Sequence, residues 1–195
     1  MRRSLGITED EPVDVEITRM RRRHLKGVMA IERQVYPRPW SPNLFLSEMT
    51  ELRNRCYLVA KVGRNVVGYG GIMAYGDEGH VTTIAVDPVW HRRKIGTRLM
   101  HELVQEAIRL GARAVSLEVR VSNYGAQRLY SRFGYRPVGI RRGYYQETGE
   151  DALVMWADGI RAPEYRERLA RLLAEADETE GIDGSSSGPR FEPSG

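Results

Sequence analysis

The chain has 195 residues, 41% of them hydrophobic, which suits one compact domain with a two-sided core and polar tails. Its 30 basic and 26 acidic residues leave a formal charge of +4, too modest to argue for a nucleic-acid binder and of the sign that suits an anionic ligand. A single cysteine, Cys56, excludes an intramolecular disulfide framework and any Cys-x-x-Cys metal or redox pair, the usage of a reducing, cytoplasmic compartment.

Residues 1–12 are polar and expected to be flexible, and their arginines are followed by no apolar run of the kind a secretory signal needs. Residues 13–18 alternate apolar and acidic side chains, the period of a half-buried strand. Leu25, Val28, Met29, Glu32 and Val35 fall at helical spacing until Tyr36-Pro37-Arg38-Pro39-Trp40, where two prolines remove backbone donors and predict a rigid loop. Ser41 before Pro42 is an N-cap hydroxyl followed by proline at the first helical position, so a second short helix begins there. Two strand-like runs, 56–62 and 66–75, flank Gly63-Arg64-Asn65 and predict a hairpin; residues 80–86 give a further strand.

After Asp87-Pro88 a basic turn leads into Ile95, Leu99, Leu103, Ala107 and Leu110, one apolar helix face stopped by Gly111. Residues 114–121 read as a strand, 123–133 as a helix ended by Gly134, and 135–142 with 152–157 as a closing antiparallel pair. These elements define one α/β (α+β) domain, residues 13–160. Residues 161–178 carry Tyr165, Leu169, Leu172 and Leu173 on one side of an amphipathic helix, and 179–195 read as a disordered Gly-, Ser- and Pro-rich tail. No stretch approaches the roughly 18–20 apolar residues of a membrane span. No metal site is expected.

A strand, a short loop and a helix whose first turn is basic form a ready anion site, because the helix N-terminus presents unpaired N–H groups and the positive end of its dipole. The residues concerned are Ile84, Ala85 and Val86, then His91, Arg92, Arg93, Lys94, Ile95, Gly96 and Thr97. Taken alone, they fit a solvated basic turn equally well. Glu118 lies in a strand where Val115, Leu117, Val119 and Val121 point one way, so it points the other and needs water, an ion-pair partner such as Arg120, or a task. Tyr130 shares a helical stripe with Ala126, Leu129 and Phe133, spacing that by itself means core packing with the hydroxyl bonded to a carbonyl.

The segments Tyr36-Pro37-x-Pro-Trp40-Ser41, Ile84-Ala-Val-Asp-Pro88, Leu117-Glu-Val-Arg-x-Ser-Asn123, Ala126-x-x-Leu-Tyr130-x-x-Phe-Gly134, Arg141-Arg-x-Tyr-Tyr145 and Glu150-Asp-Ala152 together resemble the GNAT superfamily of N-acetyltransferases. Within it they are most similar to the bacterial ribosomal-protein alanine acetyltransferases of the RimI type. The resemblance covers about residues 15–156. It implies a mixed, mostly antiparallel sheet of about seven strands and about four helices, splayed between strands 80–86 and 114–121, with acetyl-CoA in the gap.

By that resemblance, Ile84 to Val86, His91 to Thr97, Asn123 and Tyr130 bind acetyl-CoA. Glu118 is the general base and Tyr130 the general acid, while Tyr36, Pro37, Trp40, Tyr144 and Tyr145 meet the acceptor. Trp40 also reads as a structural anchor. In the family's phosphate motif a Gln or Arg is followed after two residues by Gly, and after one more by Gly or Ala. Here His91, Lys94 and Gly96 stand at those places. Only the last matches, and Lys94 replaces a glycine that would tolerate a positive φ.

The implied acceptor is the N-terminal α-amine of a protein, a ribosomal protein such as S18 beginning with Ala or Ser. An α-amine ionises near 7.7–8.0, against about 10.4 for lysine, so it is the easier nucleophile for a carboxylate base of modestly raised pKa. A small-molecule amine or lysine side chain is the second reading. An RNA- or ribosome-binding module using Arg19, Arg21, Arg22, Arg23 and Lys26 is a third; those cations lack interleaved aromatics and look like a solvated face. Cys56 reads as a small core residue without a nucleophilic role.

Overall fold

The computed structural model describes residues 13–50 and 53–181. The expected flexible segment 1–12 and residues 182–195 of the expected tail lie outside the described residues. Seven strands and five α-helices follow in the order β1 (Glu16–Arg19), α1 (Leu25–Val35), α2 (Pro42–Thr50), β2 (Arg55–Val62), β3 (Asn65–Tyr75), β4 (Glu78–Val86), α3 (Ile95–Arg109), β5 (Ala114–Arg120), α4 (Tyr124–Arg132), β6 (Arg136–Tyr145), β7 (Glu150–Ala157) and α5 (Pro163–Gly181).

The local signals act where the sequence places them. The Ser41 hydroxyl accepts from Leu44 N–H at 3.1 Å and starts α2, and Asn123 Oδ1 accepts from Ala126 N–H at 3.1 Å at the start of α4. The first strand begins at Glu16 rather than residue 13, because regular pairing with β2 starts at Glu16 opposite Lys61. The helix expected to open within the basic turn begins only at Ile95, since Arg92 and Lys94 both take positive φ, 69° and 56°. A helix cannot include such residues. The final helix runs on to Gly181, past the end of its apolar stripe.

The sheet order is β1-β2-β3-β4-β5-β7-β6. Every neighbouring pair is antiparallel except β4 and β5, which are parallel and in register only at Glu78–Ala114, Gly79–Val115 and His80–Ser116. Beyond His80 the two strands diverge, leaving facing backbone edges with no strand partner. Ile95, Leu99, Leu103 and Ala107 of α3, all 1% exposed or less, cover one face of the sheet. Their close approach depends on Gly70, where an added Cβ would stand 2.8 Å from Leu103 Cδ1. Val28 and Ile31 of α1, with Phe45 of α2, bury against Val59 and Tyr69 on the opposite face. Tyr165, Leu169 and Leu172 of α5 join the α3-side core, and the Tyr165 hydroxyl donates to Phe133 O at 2.7 Å.

Candidate active site

The divergence of β4 and β5 opens a cleft of about 360 Å³ lined by Thr82, Thr83 and Ile84 on one wall and by Leu117, Glu118 and Val119 on the other. Asn123 and Tyr130 close it on the α4 side; Tyr36, Trp40, Tyr145 and Glu147 rim it. The strands therefore bring Glu118 and Tyr130, a carboxylate and a phenol, into one cavity. Pro37 and Tyr144 do not line it, although their immediate neighbours do.

Glu118 is held there from two sides, its side chain 7% exposed. One oxygen lies 3.2 Å from His80 Nε2 of β4 and the other 3.0 Å from Arg141 Nη1 of β6. Because an ionised carboxylate only accepts, His80 Nε2 carries a proton toward it, and His80 Nδ1 meets the Ser116 hydroxyl at 3.0 Å. The hydrogen bond from His80, opposed by desolvation and joined by the electrostatic pull of His80 and Arg141, holds Glu118 below the ordinary carboxylate value. Burial, which by itself would raise the value, is outweighed by two donors that neither composition nor strand alternation revealed.

The partner suggested by sequence, Arg120, is engaged elsewhere. It pairs with Glu147 at 2.5 Å and Glu150 at 3.0 Å, and its guanidinium stacks 3.8 Å from the Tyr145 ring centre. The tyrosines beside it also differ from a regular strand. Tyr144 and Tyr145 pack edge to face at 5.1 Å, because a register shift between Arg141 and Tyr145 interrupts β6 and removes the alternation that would send them to opposite faces.

Tyr130 is 6% exposed, and burial raises its pKa, so the phenol keeps its proton. Tyr36 and Tyr165 each donate to a backbone carbonyl, Ile84 O at 3.1 Å and Phe133 O at 2.7 Å. Among the described residues no such bond holds the Tyr130 hydroxyl, which is left to the cleft. Tyr36 thereby ties the loop after α1 to β4. Trp40 anchors that loop: its ring packs 5.2 Å from Phe45, and its backbone N–H donates to Glu32 Oε2 at 2.8 Å.

The basic turn lies outside the cavity at the far end of β4. Arg98 N–H donates to Lys94 O at 3.0 Å, the first bond of α3, so the N–H groups of Ile95, Gly96 and Thr97 precede any intrahelical partner. Lys94 is the N-cap residue, in the left-handed region, the conformation glycine tolerates without cost. An added Cβ at Gly96 would make only ordinary contact, 3.4 Å from Leu129, so the protein's own packing does not demand glycine there. The open donors and uncrowded backbone fit an anionic group such as a pyrophosphate. His91 Nε2 meets Val86 O at 3.1 Å, pinning the turn to the strand.

Sequence reasoning missed His80, Arg141 and Glu32. Arg141 stands within a segment already singled out, but nothing local announces a partner 23 positions away. Cys56 is 4% exposed, and burial pushes its thiol up to about 12, which removes it as a nucleophile. Among the described residues there is no group of three or more His, Cys, Asp or Glu that could hold a metal, and no helix is long and apolar enough to cross a membrane.

This fold is shared with the crystal structure of the ribosomal-protein-S18-alanine N-acetyltransferase from Escherichia coli, with a TM-score of 0.67, 28% identity and coverage of 75% of this chain and 94% of that one. The architecture is that of an N-acetyltransferase. Residues 25–135 match the Acetyltransferase (GNAT) family. A putative [ribosomal protein bS18]-alanine N-acetyltransferase of Bacillus subtilis is 39% identical over 140 residues, spanning 72% of this chain and 93% of the relative. The N-alpha-acetyltransferase RimI of Mycobacterium tuberculosis is 43% identical over 124 residues, 62% of this chain and 76% of the relative. The chain belongs to the GNAT family of acetyltransferases, whose members use acetyl-CoA.

Proposed function

We propose that this enzyme transfers the acetyl group of acetyl-CoA to the N-terminal α-amine of a protein, a ribosomal protein of the bS18 class beginning with alanine or serine. The observation that carries the mechanism is the single cleft holding Glu118 and Tyr130, with Tyr36 and Tyr145 at its rim. Two relatives named for bS18 alanine acetylation, from B. subtilis and E. coli, support the choice of acceptor.

In this reading the cosubstrate's pyrophosphate lies on the Ile95, Gly96 and Thr97 N–H groups, with His91, Arg92, Arg93 and Lys94 around it. Its pantetheine runs between β4 and β5 past Ile84, Ala85, Val86 and Asn123. Backbone N–H groups at the open edge of β4 polarise the thioester carbonyl. Tyr36, Pro37, Trp40, Tyr144 and Tyr145 wall the acceptor's entry. The α-ammonium loses a proton to Glu118, directly or through water, and the nitrogen attacks the carbonyl carbon while the C–S bond breaks. Tyr130 protonates the leaving sulfur and recovers the nitrogen's second proton, so one proton in total is released to solvent.

Mass spectrometry after incubation with acetyl-CoA tests the reading, using peptides beginning Ala, Ser or Met and an N-blocked peptide with a free lysine. Acetyl on the free N-termini is expected; acetyl only on lysine, or only on small free amines, overturns it. Tyr130→Phe is expected to lower kcat about 10²-fold with little change in the KM for acetyl-CoA.

A further inference from the structure

Glu118 is held from two sides by groups of different character. His80 reaches it from β4, backed by Ser116. Arg141 reaches it from edge strand β6, with a side chain 58% exposed against 7% for the carboxylate it contacts. A buried carboxylate needs compensation, and removing a counter-charge from one is costly. Arg141 is poorly suited to be permanent: it is solvated, it stands where β6 loses register, and its guanidinium at the same time lies over the Tyr144 ring, 5.6 Å from its centre, a surface that can keep hold of it when the carboxylate is given up. An N-terminal amine arrives as an ammonium, and on the direct route of the proposed mechanism it comes to this same carboxylate to lose its proton.

We propose that Arg141 is a placeholder cation on Glu118 that the acceptor's α-ammonium displaces, so the carboxylate exchanges one positive charge for another and is never left bare. The inference rests on Glu118 being the base. With His80 and Arg141 both in place, Glu118 lies below the ordinary carboxylate value, His80 contributing more than Arg141. Once the ammonium has displaced it, the remaining groups facing the carboxylate are His80 from β4 and Tyr144 and Tyr145 from β6. Proton transfer then neutralises both Glu118 and the amine, and the returning guanidinium restores the ionised carboxylate by expelling the proton to solvent. The contact also discriminates: an N-acetylated terminus carries no charge to offer in exchange, so product does not hold the site open.

The test uses the full chain with CoA and two versions of one Ala-initiated peptide, one free and one N-acetylated. The Arg141 guanidinium resonance, assigned by its loss in Arg141→Lys, is expected to shift with the free-amine peptide and to stay unchanged with the acetylated one. Equal response to both peptides, or to neither, overturns the displacement. In steady-state assays Arg141→Gln is expected to lower the acceptor KM roughly two- to fivefold, the range of a half-exposed ion pair. A raised acceptor KM would instead make Arg141 a binding residue for the peptide and sink the proposal. Glu118→Gln in the same assay separates the two claims. Retained turnover there refutes the base, whereas lost turnover with an unmoved Arg141 resonance refutes only the placeholder.

Discussion

Two buried glutamates, Glu32 and Glu118, line the same cleft in opposite electrostatic settings. Glu118 faces an imidazole N–H and a guanidinium, and those partners hold it ionised. Glu32, 1% exposed, meets only neutral donors: Trp40 N–H at 2.8 Å and the Tyr69 hydroxyl. Desolvation there outweighs both hydrogen bonds and raises the pKa. The same side chain is therefore held ionised on β5 and serves as a loop anchor on α1. Its neighbours decide which, because a charge in a dry site is governed by whether a compensating charge is within reach.

The largest effect that would sharpen this contrast is on turnover. Glu118→Gln is expected to lower kcat by about 10²- to 10⁴-fold while the KM for acetyl-CoA holds, as loss of a general base should. Glu32→Gln is expected to keep kcat within a few-fold; a collapse as deep as that of Glu118→Gln would break the comparison and make Glu32 a second acid–base group. Glu32→Ala is expected to lower stability by about 1–3 kcal/mol in denaturant titrations, because the Trp40 N–H and Tyr69 hydroxyl lose their acceptor inside the protein. Raised acceptor KM should accompany it, since Trp40 belongs to the loop at the rim.

The smallest effect is on the pH dependence of stability, where the two signs are opposite. Glu118, depressed in the folded state, contributes stability present above the ordinary value of 4.5 and lost as pH falls through its folded value. Glu32, raised in the folded state, contributes stability that is full below 4.5 and lost as pH rises through its folded value. Stability curves of the two Gln variants against the unsubstituted protein should diverge on opposite sides of 4.5. Curves that diverge on the same side would show that one of the two environments is wrongly understood.

Much of the architecture was legible from short windows. Ser41 caps the helix it was expected to cap, Asn123 caps the helix expected to start there, the apolar stripe from Ile95 to Ala107 is buried, and the basic turn leaves α3's first N–H groups without an intrahelical partner. These features depend on residues three or four apart, and capping chemistry and helical periodicity act over that distance. The family resemblance likewise implies one site for Glu118 and Tyr130, and both line the cleft.

Only the tertiary structure decided what surrounds them. Strand alternation said that Glu118 turns away from its apolar neighbours, but its partners come from β4 and β6, and the nearby Arg120 is taken by Glu147 and Glu150. The cleft itself exists because β4 and β5 pair at three positions and then part, a matter of sheet twist and helix packing. Amino-acid order alone thus determined where the helices start and stop and which residue types the chemistry could draw on. The charge state of Glu118 was settled by the fold, because electrostatic compensation depends on distance in space, and strands far apart in the chain set that distance.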